Sequence, residues 1–302
     1  MLKALTLAVW IPLAPVTVAR QEVAVVEAGG KVYVIGGIGN GTTLPSVEQY
    51  DPLTDTWRFV APLPQPLHHP AAASTGDAIY VIGGYPDLTF TATAAVYRYD
   101  VAADRWTRVA DLPRPRAAMA AAAIDGKIYA TGGVPGGSDL TVYDPLADRW
   151  TALAPMLTPR EHLAAVTAGG KLYAAGGRFA ANTGAFESYD PAADRWTSLP
   201  PLPTPRSGIA AAVLNGRIHV FGGEGNPASP FGVFAENESY DLASGTWRSE
   251  LPMATPRHGI GAAATSRGIV IPAGSPVQGF GTTDVNDAFV PAPFPRRRSV
   301  RH

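Results

Sequence analysis

The chain contains no cysteine among its 302 residues. Disulfides, thiolate metal ligands and cysteine nucleophiles are therefore excluded, and the sequence carries no mark of an oxidising or a reducing compartment. Charged residues are also scarce, at 16% of the chain, and the formal net charge is −1. Because such a chain has no strong field to draw it to a polyanion or an acidic membrane surface, we expect neither nucleic acid nor a membrane as partner.

Several common functional motifs are missing as well. The sequence has no phosphate-cradling glycine loop, no GxSxG nucleophile, no HExxH zinc motif and no EF-hand. What it has is apolar bulk and turn residues: 46% of the chain is hydrophobic, and glycine and proline number 32 and 29. The composition therefore predicts a folded core with many short connections, and it leaves function to be sought in individual loops.

A repeat with a period in the forties runs through the chain. Each of six tryptophans lies 26 residues before the first residue of a Gly-Gly pair or, in the last copy, of Ala273-Gly274, and five of them follow a tyrosine by seven residues. The tryptophans are Trp10, Trp57, Trp106, Trp150, Trp196 and Trp247. Each copy predicts four short strands: a small apolar strand a, a strand b that ends in the glycines, a strand c with the tyrosine and a strand d with the tryptophan.

This unit resembles the kelch repeat, whose marks are the strand-ending Gly-Gly, the spaced Tyr and Trp, and a Pro-Arg before the next strand. The resemblance covers residues 10 to about 291. It implies an all-β fold, a six-bladed kelch β-propeller with four antiparallel strands per blade. Residues 1–291 are then one propeller domain, followed by a basic Pro/Arg tail at 292–302. The same resemblance implies a binding function on the loops around the central channel.

The two ends of the chain are predicted to meet in blade six. The last copy stops after its third strand, whereas Trp10–Arg20 aligns without a gap on Trp150–Arg160. We therefore expect residues 4–15 to supply the missing fourth strand by pairing with residues 287–291. A cytoplasmic location and, from the excess of Arg over Lys, a bacterial source are the expectations. The alternative is that residues 1–19 are a leader peptide, which would make the protein secreted or periplasmic.

Arginine recurs at one position of the repeat and suggests an anion-binding site. It stands ten residues after five of the six tryptophans, and Leu67 takes its place in the remaining copy. The arginines are Arg20, Arg116, Arg160, Arg206 and Arg257. Facing the channel mouth, they would hold an anionic small molecule or an acidic peptide, as arginines do in kelch domains that bind acidic peptides. The alternative is structural pairing with strand-c acids such as Glu48, Glu187 and Glu238. Arg178, directly after a glycine pair, departs from the repeat and is a further predicted ligand contact.

Four histidines fall in the same loops, in blades two, four and six. They are His68, His69, His162 and His258. We predict that they line the polar ligand pocket. A divalent metal held by His69, His162 and His258, with Glu22 or Glu161 nearby, is the alternative. The histidines differ by one residue in their distance from the preceding arginine position, so side-chain alternation argues against convergence of all three. No other cofactor is predicted.

Catalysis is the alternative to a purely binding function. Glu224 follows a b-strand glycine, where the kelch N-acetylneuraminate epimerase carries an acid, although Pro230 stands where that enzyme has a loop arginine. Glu224 would then act as general acid or base in an epimerase, lyase or hydrolase. Galactose oxidase, of the same superfamily, needs a Cys-Tyr crosslink that a cysteine-free chain lacks.

Two long b–c loops, in blades five and six, carry phenylalanines among polar residues. Phe231, Phe234 and Phe280 either cap the ligand pocket or pack on one another. We predict Phe231 and Phe280 as ligand contacts.

Overall fold

A computed structural model of the protein describes residues 7–292. Within this range every regular element is a β-strand, and the strands form six four-stranded antiparallel sheets and one two-stranded ribbon. The described residues contain no helix long and apolar enough to cross a membrane. The predicted basic tail lies outside the described residues except for its first residue.

The strands are numbered in chain order, and each blade follows the order a, b, c, d. β1 (Val9–Pro12) precedes blade one, which comprises β2 (Ala24–Ala28), β3 (Lys31–Ile35), β6 (Val47–Asp51) and β7 (Thr56–Val60), with the ribbon β4 (Ile38–Gly39) and β5 (Thr42–Thr43) in its b–c loop. Blade two comprises β8 (Ala71–Ser74), β9 (Ala78–Ile82), β10 (Val96–Asp100) and β11 (Arg105–Val109). Blade three comprises β12 (Ala120–Ile124), β13 (Lys127–Thr131), β14 (Leu140–Asp144) and β15 (Arg149–Leu153). Blade four comprises β16 (Ala164–Ala168), β17 (Lys171–Ala175), β18 (Phe186–Asp190) and β19 (Arg195–Ser198). Blade five comprises β20 (Ala210–Leu214), β21 (Arg217–Phe221), β22 (Asn237–Asp241) and β23 (Thr246–Ser249). Blade six comprises β24 (Ala263–Thr265), β25 (Gly268–Pro272), β26 (Asn286–Val290) and β1.

The six sheets close into a ring around a channel. Strand a of each blade contacts strand a of the next, in the order β2, β8, β12, β16, β20, β24 and back to β2. These strands are built mainly from Ala and Val, since six backbones converge there and leave room only for small side chains. They surround a cavity of about 380 Å³. The six-bladed propeller predicted from the repeat is thereby confirmed.

A circle of backbone hydrogen bonds ties the blades together at one end of this channel. One residue per blade donates its N–H to the carbonyl of the corresponding residue in the preceding blade, over 2.8 to 3.0 Å, and the sixth bond closes the circle. These ring residues are Glu22, His69, Ala118, His162, Gly208 and Gly259. All six have left-handed backbones, with φ between 51° and 66°. The sequence must therefore hold a residue in the left-handed region at this position of every repeat, and it is glycine in only two of them.

The N-terminal strand completes blade six, as predicted. β1 pairs with β26 in antiparallel register from Val9 opposite Val290 to Pro12 opposite Asp287. Residues 4–6 of the predicted strand lie outside the described residues. The pairing covers the open edge of β26 and so leaves blade six with the same four strands as the others.

The outer rim joins neighbouring blades through the Tyr, Asp and Trp of the repeat. In blade one, the Tyr50 hydroxyl donates to Asp55 Oδ1 over 2.6 Å, and the same oxygen accepts the backbone N–H of Ala14 at 3.0 Å. The indole of Trp57 donates to the Ala14 carbonyl over 2.8 Å. The same three bonds recur around Asp104, Asp148 and Asp194. The rim therefore clamps each of these blades onto the linker that follows the preceding strand d.

The repeated arginines lie in the core, so the prediction that Arg116, Arg160, Arg206 and Arg257 contact a ligand is wrong. Their exposed fraction, and that of Arg20, is at most 1%. Four of the five pair with a strand-c acid, and all five donate to backbone carbonyls. The ion pairs join Arg20 to Glu48, Arg160 to Glu187, Arg206 to Glu238 and Arg257 to Asp287. The alternative interpretation, structural pairing, is the correct one.

Blades two and three differ from the other four blades at this buried site. In blade two, Leu67 replaces the arginine, and apolar packing with Tyr97 replaces the ion pair. In blade three, Arg116 donates to the Thr141 hydroxyl over 2.7 Å. Because no carboxylate offsets its desolvation directly, burial lowers the pKa of Arg116 to about 10. Four blades thus fill this site with an ion pair, blade two with an apolar pair and blade three with an arginine bound to a hydroxyl.

Removing the Trp10 side chain should loosen the closure of the propeller. Trp10 packs against Phe221 and Phe289, with ring centroids 5.9 and 5.2 Å apart, and donates to the Leu251 carbonyl. Ile11, on the opposite face of β1, is 38% exposed. We expect Trp10→Ala to lower the free energy of unfolding by about 2 to 3 kcal/mol and Ile11→Ala by less than about 1 kcal/mol, as measured by urea denaturation. Equal effects of the two substitutions would contradict the closure described here.

Breaking one buried ion pair should cost more than breaking the pair of an arginine and a neutral hydroxyl at the same repeat position. Arg160→Leu leaves the Glu187 carboxylate buried without its partner, and we expect a loss of about 3 to 5 kcal/mol in unfolding free energy. Arg116→Leu leaves only the Thr141 hydroxyl and backbone carbonyls, and we expect a smaller loss of about 1 to 3 kcal/mol. Adding Glu187→Tyr to Arg160→Leu copies the Leu67 and Tyr97 pair and should recover part of the stability. Losses of equal size for both single variants would show that the carboxylate does not set the cost.

Candidate functional site

A cavity of about 280 Å³ opens at the end of the channel that carries the ring residues. A narrower space of about 70 Å³, bordered by all six ring residues, joins it to the channel. We call the cavity of about 280 Å³ the mouth cavity. Its lining consists of Gln21, Glu22, Ile38, His69, Tyr85, Phe90, His162, Arg178, Glu224, His258, Gly279 and Phe280.

Three positions of the repeat supply most of this lining. In every blade, the residue after the arginine position forms an antiparallel bridge with the residue after the Gly-Gly pair. These bridges are Gln21 to Ile38, His68 to Tyr85, Ala117 to Val134, Glu161 to Arg178, Ser207 to Glu224 and His258 to Ser275. The ring residue comes directly after each bridge. The repeat therefore brings three positions per blade to this end of the channel, and the residue type at each position decides which blades contribute a side chain to the cavity.

Arg178 lies between two carboxylates. Its Nε donates to Glu161 Oε1 over 2.6 Å, and its Nη1 donates to Glu224 Oε1 over 2.5 Å. Glu161 and Glu224 raise the pKa of Arg178 against the opposing effect of its burial. The guanidinium is thus held in place by the protein's own acids, and a third of its side chain remains exposed.

A chain of hydrogen bonds fixes the protonation of His69. His68 Nε2 lies 2.9 Å from the Asp87 carbonyl, which can only accept, so this nitrogen carries the proton. Burial lowers the pKa of His68, and burial with repulsion from His162 and His68 holds the pKa of His69 well below its ordinary value. In neutral His68, Nδ1 is an acceptor, so His69 Nδ1, 2.6 Å away, donates to it. His69 Nε2 is left as a lone pair, 3.2 Å from Glu22 Oε2.

His162 and His258 are oriented in the same way. His162 Nδ1 donates to Glu161 Oε2, and Arg178 Nη2 lies 3.5 Å from both nitrogens of the His162 ring. The His162 and His69 rings are 4.9 Å apart between centroids. His258 Nε2 donates to the Val277 carbonyl over 2.9 Å. Its Nδ1 is buried and has no hydrogen-bond partner among the described residues. It lies 3.5 Å from Glu22 Oε1 and 3.6 Å from Glu224 Oε2.

The structure brings six of the predicted site residues to the mouth cavity. They are Arg178, Glu224, His69, His162, His258 and Phe280. His68 is fully buried behind His69, where it orients that ring without lining the cavity. Phe231 lines a separate groove beside Pro230, and Phe234 is buried, so the prediction of Phe231 as a contact at the channel mouth is wrong.

The sequence interpretation understated Glu22 and Glu161 and missed Tyr85 and Phe90. Glu22 stands at the same repeat position as His69 and His162, two residues after the arginine position, and this shared offset was the available signal. Tyr85 follows its glycine pair as Arg178 and Glu224 follow theirs. Phe90 has a left-handed backbone within an irregular loop, which nothing in the repeat marks.

Comparison with known proteins agrees with this architecture. Among curated proteins, an F-box/kelch-repeat protein of Arabidopsis thaliana is 42% identical over 81 residues, which are 26% of this chain and 22% of that protein. Kelch-like protein 35 of Mus musculus is 37% identical over 75 residues, 25% and 13% of the two chains, and Kelch-like protein 33 of Homo sapiens is 40% identical over 75 residues, 25% and 14%. The matches thus span less than a quarter of each relative's length.

A solved structure and a family profile extend the comparison to most of the chain. The structure of YjhT has a TM-score of 0.76 over 90% of this chain and 95% of its own, at 16% identity, which shows a shared fold. The profile of the KLHDC2/KLHL20/DRC7 Kelch-repeats domain matches residues 23–223, more than half of the sequence. The chain therefore belongs to the Kelch-repeat family.

Proposed function

We propose that the mouth cavity binds a cationic group that is rich in hydrogen-bond donors. The observation that carries this proposal is the excess of acceptors there. Glu22 and Glu224 line the cavity, and Glu161 contacts the lining residues Arg178 and His162, which gives three carboxylates against the single guanidinium of Arg178. The Nε2 lone pair of His69 is a further acceptor. An anionic ligand, expected from the repeated arginines, would meet net repulsion in such a site, so the proposal departs from that expectation.

The walls of the cavity suit the same kind of ligand. Tyr85 and Phe90 pack edge to face, with centroids 5.1 Å apart, and Phe280 is 69% exposed beside the cavity. Aromatic faces attract ammonium and guanidinium groups. A volume of about 280 Å³ suits one small molecule or one long side chain.

Two sources can supply such a group. The chain is a kelch propeller, and kelch propellers generally bind protein partners, so a Lys or Arg side chain of a partner is one source. A free amine is the other. Both present the same chemistry to the cavity, and they are separated by comparing a free diamine with a lysine-containing peptide of neutral ends.

A matched pair of small molecules tests the sign of the charge that the cavity accepts. 1,4-Diaminobutane and succinate have the same chain length and opposite charges. With EDTA present to exclude metal ions, we expect calorimetric binding and a raised melting temperature with the diamine and neither with succinate. Glu224→Gln should weaken diamine binding about tenfold, since it removes one partly buried charge.

The control for this variant is Glu27→Gln, which makes the same change in net charge in the channel cavity beyond the ring. It should leave diamine binding unchanged. Preferential binding of succinate, or equal effects of the two glutamate variants, would refute the proposed function.

Catalysis remains the second candidate, and the contact between Glu224 and Arg178 favours it. Pro230 lies outside the mouth cavity, but Arg178 supplies a guanidinium directly to Glu224, so an acid and a cation meet there despite the missing loop arginine. A general acid or base needs this kind of access to a cavity. Exchange between aldose anomers, followed by NMR, should then be accelerated by the protein and lose that acceleration in Glu224→Gln. Acceleration that persists in this variant would exclude Glu224 as the catalytic group.

A further inference from the structure

We propose that Glu22, His69 and His162 bind a divalent first-row transition metal ion at the floor of the mouth cavity. Each residue offers one ligand atom, and these atoms lie within 4.8 Å of one another. His69 Nε2 and Glu22 Oε2 are 3.2 Å apart. Two ligands at about 2.1 Å from one ion, at angles between octahedral and tetrahedral, are about 3.0 to 3.4 Å apart. The inference rests on the proposed function to this extent: the metal ion is one cation that the acceptor-rich cavity takes.

The hydrogen bonds behind the two histidines prepare them as ligands. His68 accepts the Nδ1 proton of His69, and Glu161 accepts the Nδ1 proton of His162. Each ring therefore has its Nδ1 held by a neighbouring side chain, and Nε2 is the atom left for ligation. Metal-binding histidines in proteins are usually held in this way, with the second nitrogen donating to a carboxylate or another acceptor.

Without a cation, one contact on the cavity side leaves an acceptor facing an acceptor. The His69 Nε2 lone pair faces a carboxylate oxygen of Glu22 at 3.2 Å. A metal ion between these atoms replaces that repulsion by two bonds. The ion also changes the net charge of the site. Arg178 neutralises one of the three carboxylates, and the double positive charge of the ion offsets the other two.

His258 supplies an independent indication that a ligand belongs here. Its side chain is 1% exposed, and its Nδ1 has no hydrogen-bond partner among the described residues. This nitrogen points between Glu22 Oε1 and Glu224 Oε2, at 3.5 and 3.6 Å. Buried polar atoms are rarely left unpaired. A water molecule on the metal ion would donate to His258 Nδ1 and Glu224 from the cavity side.

The remaining ring residues leave the ion accessible. Ala118, Gly208 and Gly259 carry no ligating group, so the protein provides three ligands and the mouth cavity faces the rest of the coordination sphere. Three protein ligands with an open position are typical of metal sites that bind exogenous ligands, whereas closed four-ligand sites are structural. Two imidazoles and one carboxylate favour Zn²⁺, Fe²⁺, Co²⁺ or Mn²⁺ over Ca²⁺ and Mg²⁺.

The test uses the full chain, purified without a histidine tag and stripped with EDTA. After removal of EDTA, Zn²⁺ binding is measured by calorimetry, and Co²⁺ is added as a spectroscopic probe. We expect one ion per chain and a visible Co²⁺ spectrum that shows nitrogen ligation. We also expect a metal-dependent rise in melting temperature.

Asparagine is the substitution of choice for the two histidines. It removes the imidazole and is well tolerated in the left-handed region that these positions require. His69→Asn and His162→Asn should each weaken Zn²⁺ binding at least about a hundredfold, and Glu22→Gln should do the same. Ala118→Gly changes the ring position between the two histidines without removing or adding a ligating group and should leave affinity within about threefold. Circular dichroism confirms that each variant is folded.

The results separate this inference from the proposed function. If the folded protein binds none of Zn²⁺, Co²⁺, Fe²⁺ and Mn²⁺, or if the His69→Asn, His162→Asn double variant retains wild-type affinity, the metal site is refuted. Diamine binding in EDTA would still support the proposed function in that case. Conversely, one-to-one metal binding that the double variant loses would support the site even if no diamine binds.

Discussion

The circle of six backbone hydrogen bonds is the constraint on which the rest of the molecule depends. A propeller must hold its blades together where they come closest, and there only main-chain atoms are common to every repeat. The ring residues meet this need through N–H and carbonyl groups alone, at 2.8 to 3.0 Å, with left-handed backbones. The same geometry sends their side chains to the end of the channel, so the joint that closes the fold also defines the place where chemistry can occur.

Residues that keep the repeat and residues that break it have different tasks. The regular arginines, tyrosines and tryptophans are buried or hold the rim, and where one of them is replaced its partner is replaced as well. Leu67 with Tyr97 shows this in the core. In the rim of blade five, Gly245 lacks the carboxylate, and the opposing Pro200 lacks the N–H that would need it; only the bond from Trp247 remains. The mouth cavity, in contrast, is built from positions whose residue differs in almost every blade.

This division explains how far the sequence could be interpreted. The number of blades, the strand order and the closure by β1 followed from spacing, because packing requires the same apolar and turn residues in each copy. Arg178 was predicted because it departs from the repeat, His69 and His162 because of their place after the arginine position, and Glu224 because a related kelch enzyme carries an acid there. The prediction for the repeated arginines was wrong because the sequence does not show whether an arginine that precedes a strand points to solvent or to a buried acid. The bonds that orient His69 through His68 depend on loop coordinates, which no spacing rule supplies.

The ring residues make their structural bonds with backbone atoms, so these bonds do not depend on their side chains. Each blade therefore has one position at the end of the channel whose side chain can change. Steric contact limits these changes: a Cβ at Gly259 would lie 2.7 Å from Glu22 Oε1, so a larger residue at position 259 does not fit beside Glu22. A propeller of this kind can therefore acquire a different binding chemistry by single substitutions at a few ring positions, while its blades and the hydrogen bonds between them are unchanged.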